Sequence, residues 1–287
     1  MAVQWYPGHM KKASDEIREA LKKVDVVIEI LDARIPVSSS NPMLRELRGS
    51  KPCIRVLNKK DLADATVTTR WIQAMEKEPN VRAVAIEALK KKEADKVKAL
   101  AISLSPSELR RGVRALVVGI PNVGKSTFIN TLAGRKVAKT GDEPAVTKHQ
   151  QRVRIDGGRD GFDIADTPGV LWPNLADRRG GIRLGATGAV RDTALDYLEV
   201  APQAVMDLLT HYRDLVVERY KLKVVPDEGL DLLAEIGKKR GCLRKGGIVD
   251  LHKAAEILCK EIKAGDLGRI SLDWPEDYEN ESDAESE

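Results

Sequence analysis

The sequence predicts an α/β domain built on a parallel-dominated sheet, followed by an all-helical domain. Three observations carry this expectation. Short apolar runs rich in Val and Ile alternate with amphipathic stretches, the pattern of strand–helix units that stack into a parallel sheet. The chemically distinctive tetrapeptides fall directly after such runs, where ligands bind in sheets of this kind. Beyond about residue 180 the strand signals stop and helical periodicity remains.

Taken in order, residues 10–23 space their apolar side chains as an amphipathic helix. Val24 to Leu31 reads as a buried strand, which Asp32-Ala-Arg-Ile-Pro36 leaves as a loop. Cys53 to Leu57 is a second strand, with Asn58-Lys-Lys-Asp61 at its carboxyl end. Thr66 to Lys77 predicts a helix, Val81 to Ile86 a third strand and Glu93 to Leu104 another helix, with Lys90-Lys91-Lys92 as a solvated turn before it. Arg114 to Val118 predicts a strand and Lys125 to Leu132 a helix. Gln151 to Ile155 and Gly161 to Ala165 predict a strand pair joined by Asp156-Gly-Gly-Arg-Asp160. Three helices follow, Ala204 to Tyr220, Asp227 to Lys239 and Ile248 to Ala264, punctuated by Pro202, Pro226 and Gly246-Gly247. The expected boundaries are a sheet domain over 1–182, a helical domain over 183–273 and an acidic, disordered tail over 274–287.

Composition narrows the class. The 287 residues suit one medium domain plus a smaller one, and with aromatics at 4% the core must be mainly aliphatic. No run approaches the roughly 18 apolar residues of a membrane span, and the first residues lack the basic-then-apolar pattern of a secretory signal. Cys53, Cys242 and Cys259 are scattered and odd in number, which predicts buried free thiols in a reducing compartment rather than a disulfide framework. A cytoplasmic monomer is expected. The net charge of +4 hides an asymmetry: from Trp274 onward there are seven acids and no base, and without them the rest carries +11. Such a body suits an anionic partner such as RNA.

The chemistry sits in three short motifs. Gly119-Ile-Pro-Asn-Val-Gly-Lys-Ser126 fits G-x-x-x-x-G-K-S, whose backbone N–H groups cradle nucleotide phosphates. Gly119 and Gly124 allow the tight path, and Asn122, Val123 and Thr127 complete the loop's contacts. Lys125 is expected on the β- and γ-phosphates and Ser126 on Mg²⁺. In Asn58-Lys59-Lys60-Asp61, Asn58 is expected to brace the phosphate loop, Lys59 to lie along a purine face and Asp61 to accept the N1 and N2 hydrogens of guanine. Adenine offers no such donor pair. Ala88, after the next strand, can donate its amide to guanine O6, although Glu87 replaces the usual serine before it.

Asp166-Thr-Pro-Gly169 matches D-x-x-G, its aspartate reaching Mg²⁺ and its glycine amide sensing the γ-phosphate. Between these motifs Thr147 is placed to ligate Mg²⁺ on a segment that nucleotide would order. Val170 stands where many regulatory GTPases carry a water-positioning glutamine, so hydrolysis by the protein alone is expected to be slow. Ordinary GTPases carry the phosphate loop first and the base reader last. Here the order is reversed, which predicts a circularly permuted P-loop GTPase fold.

The order of base reader, Ala88, phosphate loop, Thr147 and Asp166-Thr-Pro-Gly169 resembles the circularly permuted ribosome-biogenesis GTPases. Trp5-Tyr-Pro-Gly-His-Met10 with Lys12-Ala13, together with Asp32-Ala-Arg-Ile-Pro36, is similar to the YlqF/RbgA branch. The resemblance covers residues 3–220 closely and the remainder more weakly; Glu87 and Ala145 depart from it. It implies an enzyme that converts GTP to GDP and phosphate with Mg²⁺, binds the large ribosomal subunit precursor through rRNA and ribosomal proteins, and leaves after hydrolysis. His9 matches a histidine considered catalytic in the family, alongside Lys125 and Thr147; a loop histidine that packs or touches rRNA is the other reading. Asn122 resembles the asparagine that permits K⁺-stimulated hydrolysis.

Outside these motifs, Lys238-Lys-Arg-Gly-Cys-Leu-Arg-Lys-Gly-Gly247 joins two helices with five positive charges, read as an rRNA contact or a solvated loop. Trp5, Trp71 and Trp172 are expected to pack rather than stack on bases.

Overall fold

The computed structural model describes residues 15, 17–106, 112–138, 151–156, 161–166, 178–190 and 195–278, with Gln151 and Asp166 by backbone only. Strands β1 (Val26–Asp32), β2 (Cys53–Asn58), β3 (Val81–Ile86), β4 (Val113–Val118), β5 (Gln151–Arg154) and β6 (Phe162–Asp166) form one sheet in the spatial order β3-β2-β1-β4-β6-β5. Every pairing is parallel except β5 with β6. Helices α1 (Pro42–Arg48), α2 (Ala65–Met75), α3 (Lys91–Leu104) and α4 (Lys125–Ala133) lie between the strands in sequence.

The central strands are near-continuous apolar runs, broken by Glu29 and Arg55, because both faces are covered, as parallel sheets require. All of β1 is buried. Residues 17–21 are helical, and Ile17, Leu21 and Val24 pack with Val27, Leu44, Cys53 and Leu116 in one cluster. Further along the strands, Leu31, Leu57, Val67, Trp71 and Met75 close a second cluster under α2. The buried carboxylate of Glu29 accepts from the Asn41 amide at 3.0 Å and lies 3.4 Å from Arg55. Burial pushes its pKa up, against the pull of Arg55.

The chain divides into two compact units, 1–174 together with 273–287, and 175–272. In the second, α5 (Arg178–Thr187), α6 (Tyr197–Tyr220), α7 (Gly229–Lys239) and α8 (Leu251–Ala264) pack on one another. Its polar centre is Glu261, which accepts the Tyr220 hydroxyl at 2.7 Å and meets Arg219 and Arg240. All three cysteines are buried and none is in a disulfide, the Cys53 thiol pushed up to about 12 by burial.

Several elements differ from expectation. The second unit begins before residue 183 because Arg178–Thr187 is helical, a periodicity that Gly180, Gly181 and Gly185 hide. Helix α1 is short and starts from an Asn41 cap followed by Pro42, a start signal that the expected element order omits. Pro202 lies inside α6 rather than before it, and that helix bends instead at Tyr212 (φ −132°, ψ 35°). Lys91 and Lys92 open α3 rather than forming a turn. The expected disorder from residue 274 starts too early: residues 275–278 form a helical turn, and Trp274 and Tyr278 pack against the α2 cluster. Those two aromatics supply the apolar area that the acidic composition of the segment masks.

Candidate guanine-nucleotide site

The phosphate loop leaves the buried end of β4 and enters α4. Gly119 (φ 151°) and Gly124 (φ 99°) hold backbone conformations that side chains rarely adopt. A Cβ on Gly119 would stand 2.4 Å from the Ile30 carbonyl oxygen, and one on Gly124 would stand 2.3 Å from Asn58 Nδ2. The loop therefore has no room for a side chain at either glycine. Gly124 is also the N-cap of α4 and offers no side chain to its first turn, so that turn's N–H groups and dipole are arranged for an anion. Lys125 is buried and donates to the Ile120 carbonyl at 2.8 Å. Ser126 and Thr127 follow in the first turn, and Asn122 stands at φ 60°.

The Asn58–Asp61 tetrapeptide, the candidate base reader, starts at the last residue of β2. Asn58 is buried; its Nδ2 donates to the Val123 carbonyl at 2.6 Å and its Oδ1 accepts the Ala88 amide at 2.8 Å. One side chain thus ties three separated segments together. In this state the Ala88 amide is committed to Asn58 rather than directed outward. Lys59 takes a left-handed backbone (φ 61°) and donates from Nζ to Asp32 at 2.9 Å. Lys60 pairs with Glu93 at 2.7 Å, and Glu93 also accepts the Glu87 amide at 2.6 Å. Glu87 itself turns to Lys90 at 2.6 Å, so its departure from the usual serine leaves Ala88 in place. Asp61 is exposed at the tip, and Asp64 caps α2 behind it.

Asp32 is a residue that sequence reasoning missed, although it opens the singled-out Asp32-Ala-Arg-Ile-Pro36 stretch. It lies opposite Asn58 in register. The fully buried Arg34 reaches both its oxygens, at 3.0 and 2.8 Å, and Lys59 adds a third contact. Burial alone would raise the Asp32 pKa, but Arg34 and Lys59 hold it well below the usual carboxylate range. Glu93 was likewise unforeseen. The signal in both cases is long-range pairing of charges, which spacing along the chain cannot reveal.

The backbone of Asp166 ends β6 opposite Val117, one strand from the phosphate loop. His9, Thr147, Gly169, Ala145, Val170, Trp5 and Trp172 lie outside the described residues. Trp71 is buried in the α2 cluster. In the basic loop, Lys238 pairs with Glu235, Arg244 with Asp250, and Arg240 lies 5.1 Å above the Tyr220 ring while forming an ion pair with Glu261. Lys239 and Lys245 have no ion pair among the described residues. The expected five-charge patch is therefore mostly neutralised within its own unit.

A glycine loop after β4 and a guanine-type reader after the earlier β2, joined by Asn58, define a circularly permuted P-loop GTPase fold. A family described as 50S ribosome-binding GTPase matches residues 114–225. Ribosome biogenesis GTPase A of Bacillus cereus is 43% identical, covering 97% of this chain and 96% of the relative; that of Priestia megaterium is 42% identical over 97% and 99%. Two solved structures of YlqF, one GDP-bound and one GNP-bound from T. maritima, align at TM-score 0.64 and 27% identity, covering 91% and 92% of this chain and 99% of theirs. The chain belongs to the ribosome biogenesis GTPase A family, YlqF/RbgA.

Proposed function

We propose that the protein hydrolyses GTP to GDP and phosphate as an assembly factor for the large ribosomal subunit, its nucleotide state setting its hold on rRNA. The observation that carries the nucleotide reading is Asn58, bonded at once to Val123 of the phosphate loop and to Ala88. It makes the base-reading and phosphate-holding segments one site despite their reversed order. The family relationship and the +11 carried outside the acidic tail support the ribosomal partner.

In this reading Asp61 selects guanine, Lys59 covers the purine and Lys125 leaves Ile120 for the β- and γ-phosphates. Ser126, Thr147 and Asp166 would hold Mg²⁺, which when bound would supply charge neutralisation. Asn122 would hold K⁺, and His9 would act on the attacking water. Because Val170 cannot orient water, turnover is slow until K⁺ and the ribosomal particle contribute. Lys239 and Lys245 are the members of the basic loop with charge to offer rRNA phosphates, a narrower contact than the sequence suggested.

Sedimentation with large-subunit precursors tests this directly. Co-migration is expected with a non-hydrolysable GTP analogue and release with GDP; equal binding in both states, or none, would refute it. Steady-state turnover in K⁺, with and without particles, separates an enzyme from a scaffold that GTP merely orders.

A further inference from the structure

Residues 273–278 follow the helical unit in sequence but belong to the sheet unit, where they hold both flanks of the base-reading loop. The carboxylate of Asp273, fully buried, accepts the Val37 and Ser38 amides at 2.8 Å each and the Ser38 hydroxyl at 2.7 Å. Its own carbonyl accepts Trp71 Nε1 of α2 at 3.0 Å. Tyr278 donates to Asp273 at 3.2 Å and meets Trp71 edge to face at 5.8 Å, while Glu276 pairs with Arg70. Asp273 and these partners in the loop and in α2 lie more than two hundred residues apart in sequence.

What these contacts hold matters more than their number. Val37 and Ser38 belong to the loop that leaves β1. That loop returns through Ser39, whose hydroxyl accepts the Asp32 amide at 3.0 Å and donates to Ile35. Asp32 in turn fixes Lys59. On the other side, Asp64 starts α2 immediately after the reader, and Trp71 anchors that helix to Asp273. The stretch 58–64 is thus suspended between two elements clamped by one short segment. A buried carboxylate keeps its charge only while its donors stay in place, so Asp273 and residues 37–38 move together or not at all.

We infer that Asp273 is a positioning residue for guanine recognition, acting through residues 37–39 and Trp71 to hold Lys59 and Asp61 in their binding geometry. The inference rests on the assignment of Asp61 as the guanine reader. Pre-ordering a recognition loop saves the entropy of ordering it on binding, and that saving appears as affinity and selectivity.

The test compares GDP with inosine diphosphate, which has the same phosphates and N1 hydrogen but lacks the 2-amino group that Asp61 reads. Calorimetry on the full chain gives both affinities. In Asp273→Asn an amide replaces one of the oxygens that accept from residues 37, 38 and 278. The preference for GDP over inosine diphosphate is expected to shrink about tenfold, the worth of one charge-assisted hydrogen bond, with inosine diphosphate, which keeps only the N1 contact to Asp61, weakened less than GDP. A purely structural lesion would weaken both ligands together and leave the ratio intact. Should Asp273→Asn fail to fold, Ser38→Ala removes one contact to the same carboxylate and is expected to cut the ratio about threefold. A wild-type preference retained in the folded variants overturns the role of Asp273 alone. A wild type that binds both ligands equally overturns the guanine reading, and the positioning role with it.

Discussion

The two sides of the proposed nucleotide site are made of different materials. The phosphate side is backbone: two glycines in unusual conformations, an uncapped helix start and a buried lysine, all within one short segment. The base side is side chains: Asp32, Arg34, Asn58, Glu93 and Asp273, drawn from distant parts of the chain. Phosphates are the same in every nucleotide and are met by a fixed array of N–H donors. A base must be told from other bases, which needs specific acceptors held in a definite orientation. The permutation leaves the first untouched, while the second depends on elements now spread from β1 to residues 273–278.

The sharpest way to break the base side is Asp32→Asn. It leaves Arg34 buried without its counter-charge, a lesion that typically costs about 3–5 kcal/mol, readable by chemical denaturation. Since the folded pKa of Asp32 lies below the unfolded one, its carboxylate stabilises the fold above the ordinary aspartate range. That contribution fades as pH falls through this range toward the folded value. The variant is therefore expected to show a shallower loss of stability on acidification. Glu29, whose folded pKa is raised, acts in the opposite sense, favouring the fold below the ordinary glutamate range and less as pH climbs.

Next in size is Gly124→Ala, which tests the phosphate side. A Cβ there clashes with Asn58 and strains the backbone by about 1–3 kcal/mol. GDP affinity measured by calorimetry is expected to fall by roughly two orders of magnitude, for guanine and inosine ligands alike, in proportion to the strain and the lost cradle. Asn58→Ala joins the two sides: losing both of its bonds is expected to cost binding about 2–3 kcal/mol. The smallest effect lies outside the site. Neutralising Lys239 and Lys245 together is expected to weaken rRNA binding modestly and reduce its salt slope by about two, whereas removing the internally paired Arg244 should add little.

The same contrast explains what was legible in the sequence. The strands showed through because Val-Val-Ile in β1 and Cys-Ile-Arg-Val-Leu in β2 are buried runs bounded by polar loops. The phosphate loop and base reader are contiguous words with fixed spacing, so their place at strand ends was also readable. Helix α5 was not, since its glycines erase the apolar stripe, and neither was the order of residues 274–278, whose acids outvoted Trp274 and Tyr278. Asp273 gave no signal at all. A lone aspartate gains meaning only when the fold carries it to Val37, Ser38 and Trp71.

The central claim is that Asp61, in its permuted position, reads guanine. Asp61→Asn replaces an acceptor by an amide whose N–H matches the 2-oxo group of xanthine, so calorimetry with GDP and xanthosine diphosphate tests the pairing at the base itself. The preference is expected to invert, with xanthosine diphosphate bound more tightly than GDP. A variant that still prefers GDP as the wild type does would contradict the assignment.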